Sequence, residues 1–218
     1  MNKFILILIL LIIITQYNQV NKINNSYDIL QINNPKKELF EETINKKNIC
    51  VFTNITSKLL SLKNLDIQNF KNSDLQSKKK LESILKNHFN YYLVPLTLSF
   101  NFNLVEENSH YKMSIRKQKV YRSLICQIKG SKRIILFSPE QKKLLYLKNN
   151  ESIIDFWDPN VDFKKYPLFN YSKYIEVLLS PGQMLHIPYG WFYSYENKDD
   201  NIFIISNSES IFSYFLKN

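Results

Sequence analysis

The chain has 218 residues, 44% hydrophobic and 14% aromatic, enough to bury one sizeable core and to make a single domain the default. Its formal charge is +10, but the lysines are scattered and the only dense run is Lys78-Lys79-Lys80, so the charge reads as solvated faces and not as a nucleic-acid surface. The two cysteines, Cys50 and Cys126, stand far apart in apolar stretches, which excludes a Cys-x-x-Cys zinc or redox motif and points to buried thiols.

The first element is "MNKFILILILLIIITQYNQ", with one basic residue, Lys3, and an unbroken apolar run from Phe4 to Ile14. That run has the length of a signal-peptide core and is short of the ~20 residues of a full span. Thr15, Gln16, Tyr17, Asn18 and Gln19 follow, without the small residues of a cleavage site. Residues 1–15 are therefore expected to be a signal peptide or signal anchor, engaging the membrane through residues 4–14. This assigns the protein to the endoplasmic reticulum and secretory pathway, membrane-anchored or luminal. A buried core segment is the competing reading. Sequons at Asn54, Asn150 and Asn170 fit a luminal domain. Residues 16–26 read as a polar linker and 27–218 as the domain proper.

A helix is predicted from Asn34 as N-cap, with Pro35 at its first position, acidic Glu38, Glu41 and Glu42 early, and Lys46 and Lys47 late. Leu39, Phe40, Thr43 and Ile44 form its buried stripe. Ile49–Ile55 reads as a buried strand. A second helix is expected over Ser73–His88, with Leu81, Ile84, Leu85 and Phe89 on one face. The pattern then changes to short strands: "YYLVPLTLSF", "VYRSLICQI", "KRIILFS", "YIEVLL", "QMLHIP", "WFYSYE" and "NIFIIS". Many short strands at this spacing predict a sandwich or barrel, with helices outside it. The three glycines, Gly130, Gly182 and Gly190, all lie between predicted strands. Pro181-Gly182 suits a type II turn.

At this point the residues resemble a family. "CQIKGSKRIILFSP" (126–139) resembles a strand pair of JmjC and cupin-like proteins, and "LLSPGQMLHIPYGWFYSYEN" (178–197) resembles their later turn–strand–turn–strand run. "NPKKELFEETINKKNICVFTNIT" (34–56) is similar to their opening helix and strand. The resemblance implies a double-stranded β-helix, a mainly β jelly-roll with flanking helices. It also implies Fe(II)/2-oxoglutarate chemistry, with iron held by a His-x-Asp pair and a distal His. Carried over position by position, those ligands fall on Lys117, Lys119 and Tyr193. Lysine ammonium groups offer donors only and repel a dication. The family's cosubstrate lysine matches Lys132, and a pocket asparagine of the last strand matches Asn207. An earlier pocket asparagine is replaced by Ser123.

The resemblance therefore implies a catalytically inactive relative with no cofactor, working as a binding or structural module for a protein or a small anionic ligand. The alternative is an active Fe(II)/2-oxoglutarate oxygenase with non-standard ligands. Nucleic acid is not expected as a partner, since no clustered aromatic-basic face is visible. His186, in "MLHIP", reads as a packed strand histidine. His110, near Glu106 and Glu107, could rebuild a metal site only if its strand slid. The resemblance puts Lys117 and Lys119 on one interior face near Lys132. The space there is then either an anion site or a collapsed pocket, with collapse the preferred reading.

Overall fold

The computed structural model describes residues 3–55 and 75–217. Twelve strands, among the described residues, form two six-stranded sheets packed face to face as a jelly-roll. The first sheet runs β1 (Ile29–Asn33), β2 (Ile49–Thr53), β10 (Met184–Pro188), β5 (Arg122–Lys129), β12 (Asn201–Ser210), β3 (Thr97–Glu107). The second runs β7 (Leu147–Lys148), β8 (Glu151–Ser152), β4 (Lys112–Lys117), β11 (Phe192–Asn197), β6 (Lys132–Phe137), β9 (Ile175–Leu179). The paired strands are antiparallel except β1 with β2.

Alternation along each strand divides the apolar residues between three layers. Val51, Ile125, Leu136, Leu185, Ile187 and Phe203 meet between the sheets. Cys126, Met184 and Ile204 face outward from the first sheet, under Phe40 of α2 (Lys37–Asn45) and Leu85 and Phe89 of α3 (Leu75–Phe89). Ile135, Phe137 and Phe192 leave the second sheet on its other side. Leu145, Trp157 and Phe169 of the long 139–171 connection cover them. The sheets are therefore buried on both faces, which is why their sequences read as apolar runs and not as clean alternations.

The strand expectations largely hold, and the first sheet also takes in β1 and β2, ahead of the run of short strands expected from Tyr91. β2 sits one strand in from its edge, between β1 and β10. β1 was not expected as a strand, and β4 only through the strand on which the resemblance puts Lys117; in β4 the lysines and arginine of "KMSIRK" hide Met113 and Ile115. In "YYLVPLTLSF" the first residues form a 3-10 turn and the strand begins at Thr97. The first predicted helix starts later than expected, at Lys37 with Lys36 as N-cap. Asn34 instead takes a positive φ of 41° and donates its N–H to the Thr53 carbonyl. Leu39 is exposed, while Phe40, Thr43 and Ile44 are buried as predicted. The expected start of the second helix at Ser73 lies outside the described residues, as does the side chain of Leu81.

The Pro181-Gly182 turn forms as predicted. The Gln183 N–H donates to the Ser180 carbonyl at 3.1 Å, and Gly182 has a φ of 86°. Gly130 is needed for space as well as for its φ of 74°. A β-carbon there would stand 2.5 Å from the Asp200 carbonyl oxygen.

The N-terminal segment forms one helix, α1 (Lys3–Asn21), whose apolar residues from Phe4 to Ile14 are all exposed. It runs through much of the stretch read as a polar linker. Its last turn is docked: Val20 is buried against Val94, Tyr121 and Phe212, and Asn21 Nδ2 donates to the Leu216 carbonyl at 2.7 Å.

Candidate functional site

One end of the sandwich is built where β4 ends and β5 begins, and where β10 ends and β11 begins. In the β4–β11 ladder, Arg116 lies opposite Tyr193 and Lys117 opposite Phe192, with a bulge between Tyr193 and Tyr195. Cross-strand partners share a face. Tyr193 packs against the core between the sheets, whereas Phe192 belongs to the outer cluster. Arg116 therefore shares the interior side with Tyr193, and Lys117 faces the other way.

The ammonium of Lys117 stands 5.7 Å from the centre of the Tyr189 ring. Burial, then Lys142 and Lys119, lowers its pKa. Lys119 lies beyond the strand and is exposed. The two lysines are thus not gathered in the interior as the resemblance implied; Arg116, which sequence reading passed over, is. Burial raises the Tyr193 phenol's pKa, against the pull of the Arg116 cation. Ser123 and Asn207 are ladder partners at this same end, on the face of Ile125 and Phe203. Two polar atoms here, Arg116 Nε and Asn207 Oδ1, are buried without a hydrogen-bond partner.

Lys132 sits further along the interior and is fully buried. Its ammonium donates to Asn197 Oδ1 at 2.7 Å and Glu107 Oε2 at 3.1 Å. The rings of Tyr195 and Phe203 flank it, each centre 3.6 Å away. Glu107 also accepts from the Tyr195 hydroxyl at 2.8 Å and from Asn197 Nδ2 at 2.9 Å. Burial pulls the Lys132 pKa down to about 8 even with Glu107 beside it. Lys132 and Asn207 thus face the same interior, but Lys132 is held by an internal carboxylate.

These residues do not fit an iron centre. Between β4 and β11 the interior presents a guanidinium and a phenol, with no imidazole or carboxylate to donate a lone pair. Nor do the described residues contain any group of three His, Cys, Asp or Glu side chains placed to hold a metal. His110 has a positive φ of 66° in the turn after β3 and is exposed.

A second polar cluster lies on the outer face of the first sheet, beneath α2. Arg122 is fully buried and makes two bonds to Glu41, Nη1 to Oε1 at 2.9 Å and Nη2 to Oε2 at 2.6 Å. Its Nη1 also donates to the Tyr92 carbonyl at 3.0 Å. Lys47 is buried with its ammonium 3.4 Å from the centre of the Tyr121 ring and no hydrogen-bond acceptor. Burial first, then Arg122 and Lys22, lowers its pKa to about 7. His186 completes the group, fully buried as its packed reading expected, with Nδ1 3.1 Å from the Asn48 carbonyl.

Burial, and beyond it the Arg122 and Lys47 cations, pushes the His186 pKa down to about 3, against the opposing effect of the Asn48 carbonyl. Above pH 6.5 the ring is neutral folded or unfolded and has no effect on the pH dependence. Between pH 6.5 and about 3 the unfolded chain takes up a proton that the folded chain refuses. Stability is thus expected to fall with falling pH across that window, and His186→Phe to flatten the slope. Urea midpoints of both proteins across the window test this. Parallel curves would remove His186 as the cause.

The family described as "Cupin-like domain" matches residues 103–212, which contain both ends of the interior just described. Over 75 residues the chain is 41% identical to human tRNA wybutosine-synthesizing protein 5, covering 34% of this chain and 24% of that protein. It is 42% identical over 72 residues to JmjC domain-containing protein D of Dictyostelium discoideum (30% of this chain, 16% of that one). It is 37% identical over 82 residues to lysine-specific demethylase 8 of Danio rerio (35% and 20%). The chain thus matches less than a quarter of each of these relatives' lengths. Jelly-roll sheets, turn glycines and the match over half its residues agree: the chain belongs to the cupin-like domain family.

Proposed function

We propose that this protein is a catalytically inactive cupin-like domain, carried on the secretory membrane system by its apolar N-terminal helix and working as a binding or structural module. The observation that carries the reading is the Arg116–Tyr193 pairing in the β4–β11 ladder. A guanidinium stays charged at any ordinary pH, and a cation at that place opposes a second cation. The engagement of Lys132 by Glu107 supports the same reading, since an ammonium already paired has less to offer a cosubstrate carboxylate. The exposed Phe4–Ile14 face supports the membrane part, and Asn54, Asn150 and Asn170 are all exposed, as glycan acceptors must be. A protein or a small anionic ligand is the partner class. Nucleic acid is not proposed: Arg122 and Lys132 are buried and Lys217 is paired with Glu209.

The purified full chain is expected to hold no stoichiometric iron and to show no 2-oxoglutarate turnover above buffer. Metal analysis together with a succinate-release assay measures both. One equivalent of iron with turnover would overturn the inactive reading in favour of an oxygenase with unusual ligands.

A further inference from the structure

α4 (Ile211–Leu216) wears its apolar residues on the wrong side for a helix in water. Ile211, Tyr214 and Phe215 are three and four residues apart and so share one face. That face points outward, with Tyr214 51% and Phe215 71% exposed, while Phe212 and Ser213 turn inward. Beside it, the Ile211 N–H donates to the carbonyl of Leu96. Leu96 is itself 66% exposed on a turn with a φ of 54°, a conformation that costs a leucine energy. Tyr17, one turn before the docked end of α1, is exposed as well. A contiguous apolar patch of this kind on a folded domain marks a contact surface.

What it contacts follows from its neighbours. The patch is continuous with α1: Asn21 bonds to the Leu216 carbonyl, Val20 packs on Phe212, and a cavity of about 210 Å³ lined by Gln16, Gln19, Leu96, Tyr121 and Phe212 lies at the seam. The rim is basic. Lys22 and Lys119 are exposed, while Lys217, neutralised by Glu209, donates to the Lys119 carbonyl and holds that residue at the edge of the patch. An apolar face with aromatic residues at its edge and lysines around it, attached to the end of an exposed apolar helix, has the composition of a helix lying in a bilayer interface.

We propose that α4, with Leu96 and Tyr17, lies on the same bilayer that α1 enters, with Tyr214 and Phe215 at headgroup level and Lys22 and Lys119 against anionic lipid. This rests on the membrane reading of α1 and goes beyond it, because it fixes the orientation of the domain. The polar linker expected of residues 16–26 gives way to a two-point seat.

The experiment uses the full chain in vesicles of phosphatidylcholine with phosphatidylserine. Single cysteines carry an environment-sensitive fluorophore, and nitroxide lipids quench it. The native thiols do not compete, since Cys50 and Cys126 are buried and burial pushes both pKa values up to about 12. Three variants are compared: Ile9→Cys in α1, Phe215→Cys in α4 and Tyr171→Cys on the exposed 139–171 connection. Quenching at positions 9 and 215 is expected to exceed that at 171 by at least about twofold. Quenching at 9 but not at 215 overturns the seat while α1 remains a membrane segment. Quenching at none overturns the membrane reading and the seat together. A blue shift at 215 without lipid quenching means that a second protein copy covers the patch, which also overturns the proposal.

Discussion

Arg122→Ala is expected to destabilise the protein by about 3–5 kcal/mol, enough to threaten folding of the domain. The guanidinium is fully buried and its bidentate partner Glu41 is largely so. Removing it leaves the Glu41 carboxylate and the Tyr92 carbonyl facing a void, next to the ring of Phe40, over whose centre the guanidinium stands at 5.6 Å. It also removes a polar tie between α2 and the sheet, leaving the apolar contacts of Phe40 and Ile44 to hold the helix. Arg122→Lys should restore little, because a point ammonium cannot make both bonds to one carboxylate. Denaturant unfolding of both variants decides the matter. A loss below about 1 kcal/mol for Arg122→Ala would place the pair among weak surface bridges and remove it as an anchor.

Lys132→Met is expected to cost about 3 kcal/mol, because it strands the Glu107 carboxylate beside Asn197 and Tyr195 without its counter-ion. The double variant Lys132→Met with Glu107→Gln should be less destabilised than the sum of the two single changes by more than about 1 kcal/mol. The glutamine still accepts the Tyr195 hydroxyl, and neither charge remains to be compensated. A double-mutant cycle by urea denaturation measures the coupling. If the single changes simply add and Lys132→Met is neutral, the lysine is free of the internal carboxylate and available to a ligand, which would weaken the inactive reading.

Much of the fold was legible because buried strands announce themselves: "ICVFT", "RIILF" and "MLHIP" are too apolar to be anything but core, and each glycine marked a turn. The site was less legible for identifiable reasons. Motif spacing counts residues along the chain, and the bulge sets three steps of β4, Met113 to Arg116, against two of β11, Tyr195 to Tyr193, so the inward-facing residues of β4 shift by one; no residue type in β4 advertises it. The face thus passed from Lys117 to Arg116. The partners of Lys132 and Arg122 are 25 and 81 residues away in sequence, so neither ion pair has any local pattern. Exposure of the α4 aromatics was equally hidden, since a six-residue helix is too short for its periodicity to reveal which side faces the domain.

The pairing of α1 with α4 has a consequence for the order of events during synthesis. α1 leaves the ribosome before α4, and the helix that receives its last turn is made about 190 residues later, on the order of tens of seconds at ordinary elongation rates. β2 is in the same position, for one of its two neighbours, β10, is translated more than a hundred residues after it. Throughout that interval the last turn of α1 lacks Phe212 and the Leu216 carbonyl, and the residues from Phe4 to Ile14 stay exposed even in the finished fold. On the proposed membrane reading, a nascent chain in this state presents a bare hydrophobic segment to targeting factors and to lipid, and the domain closes around a helix whose fate has already been decided.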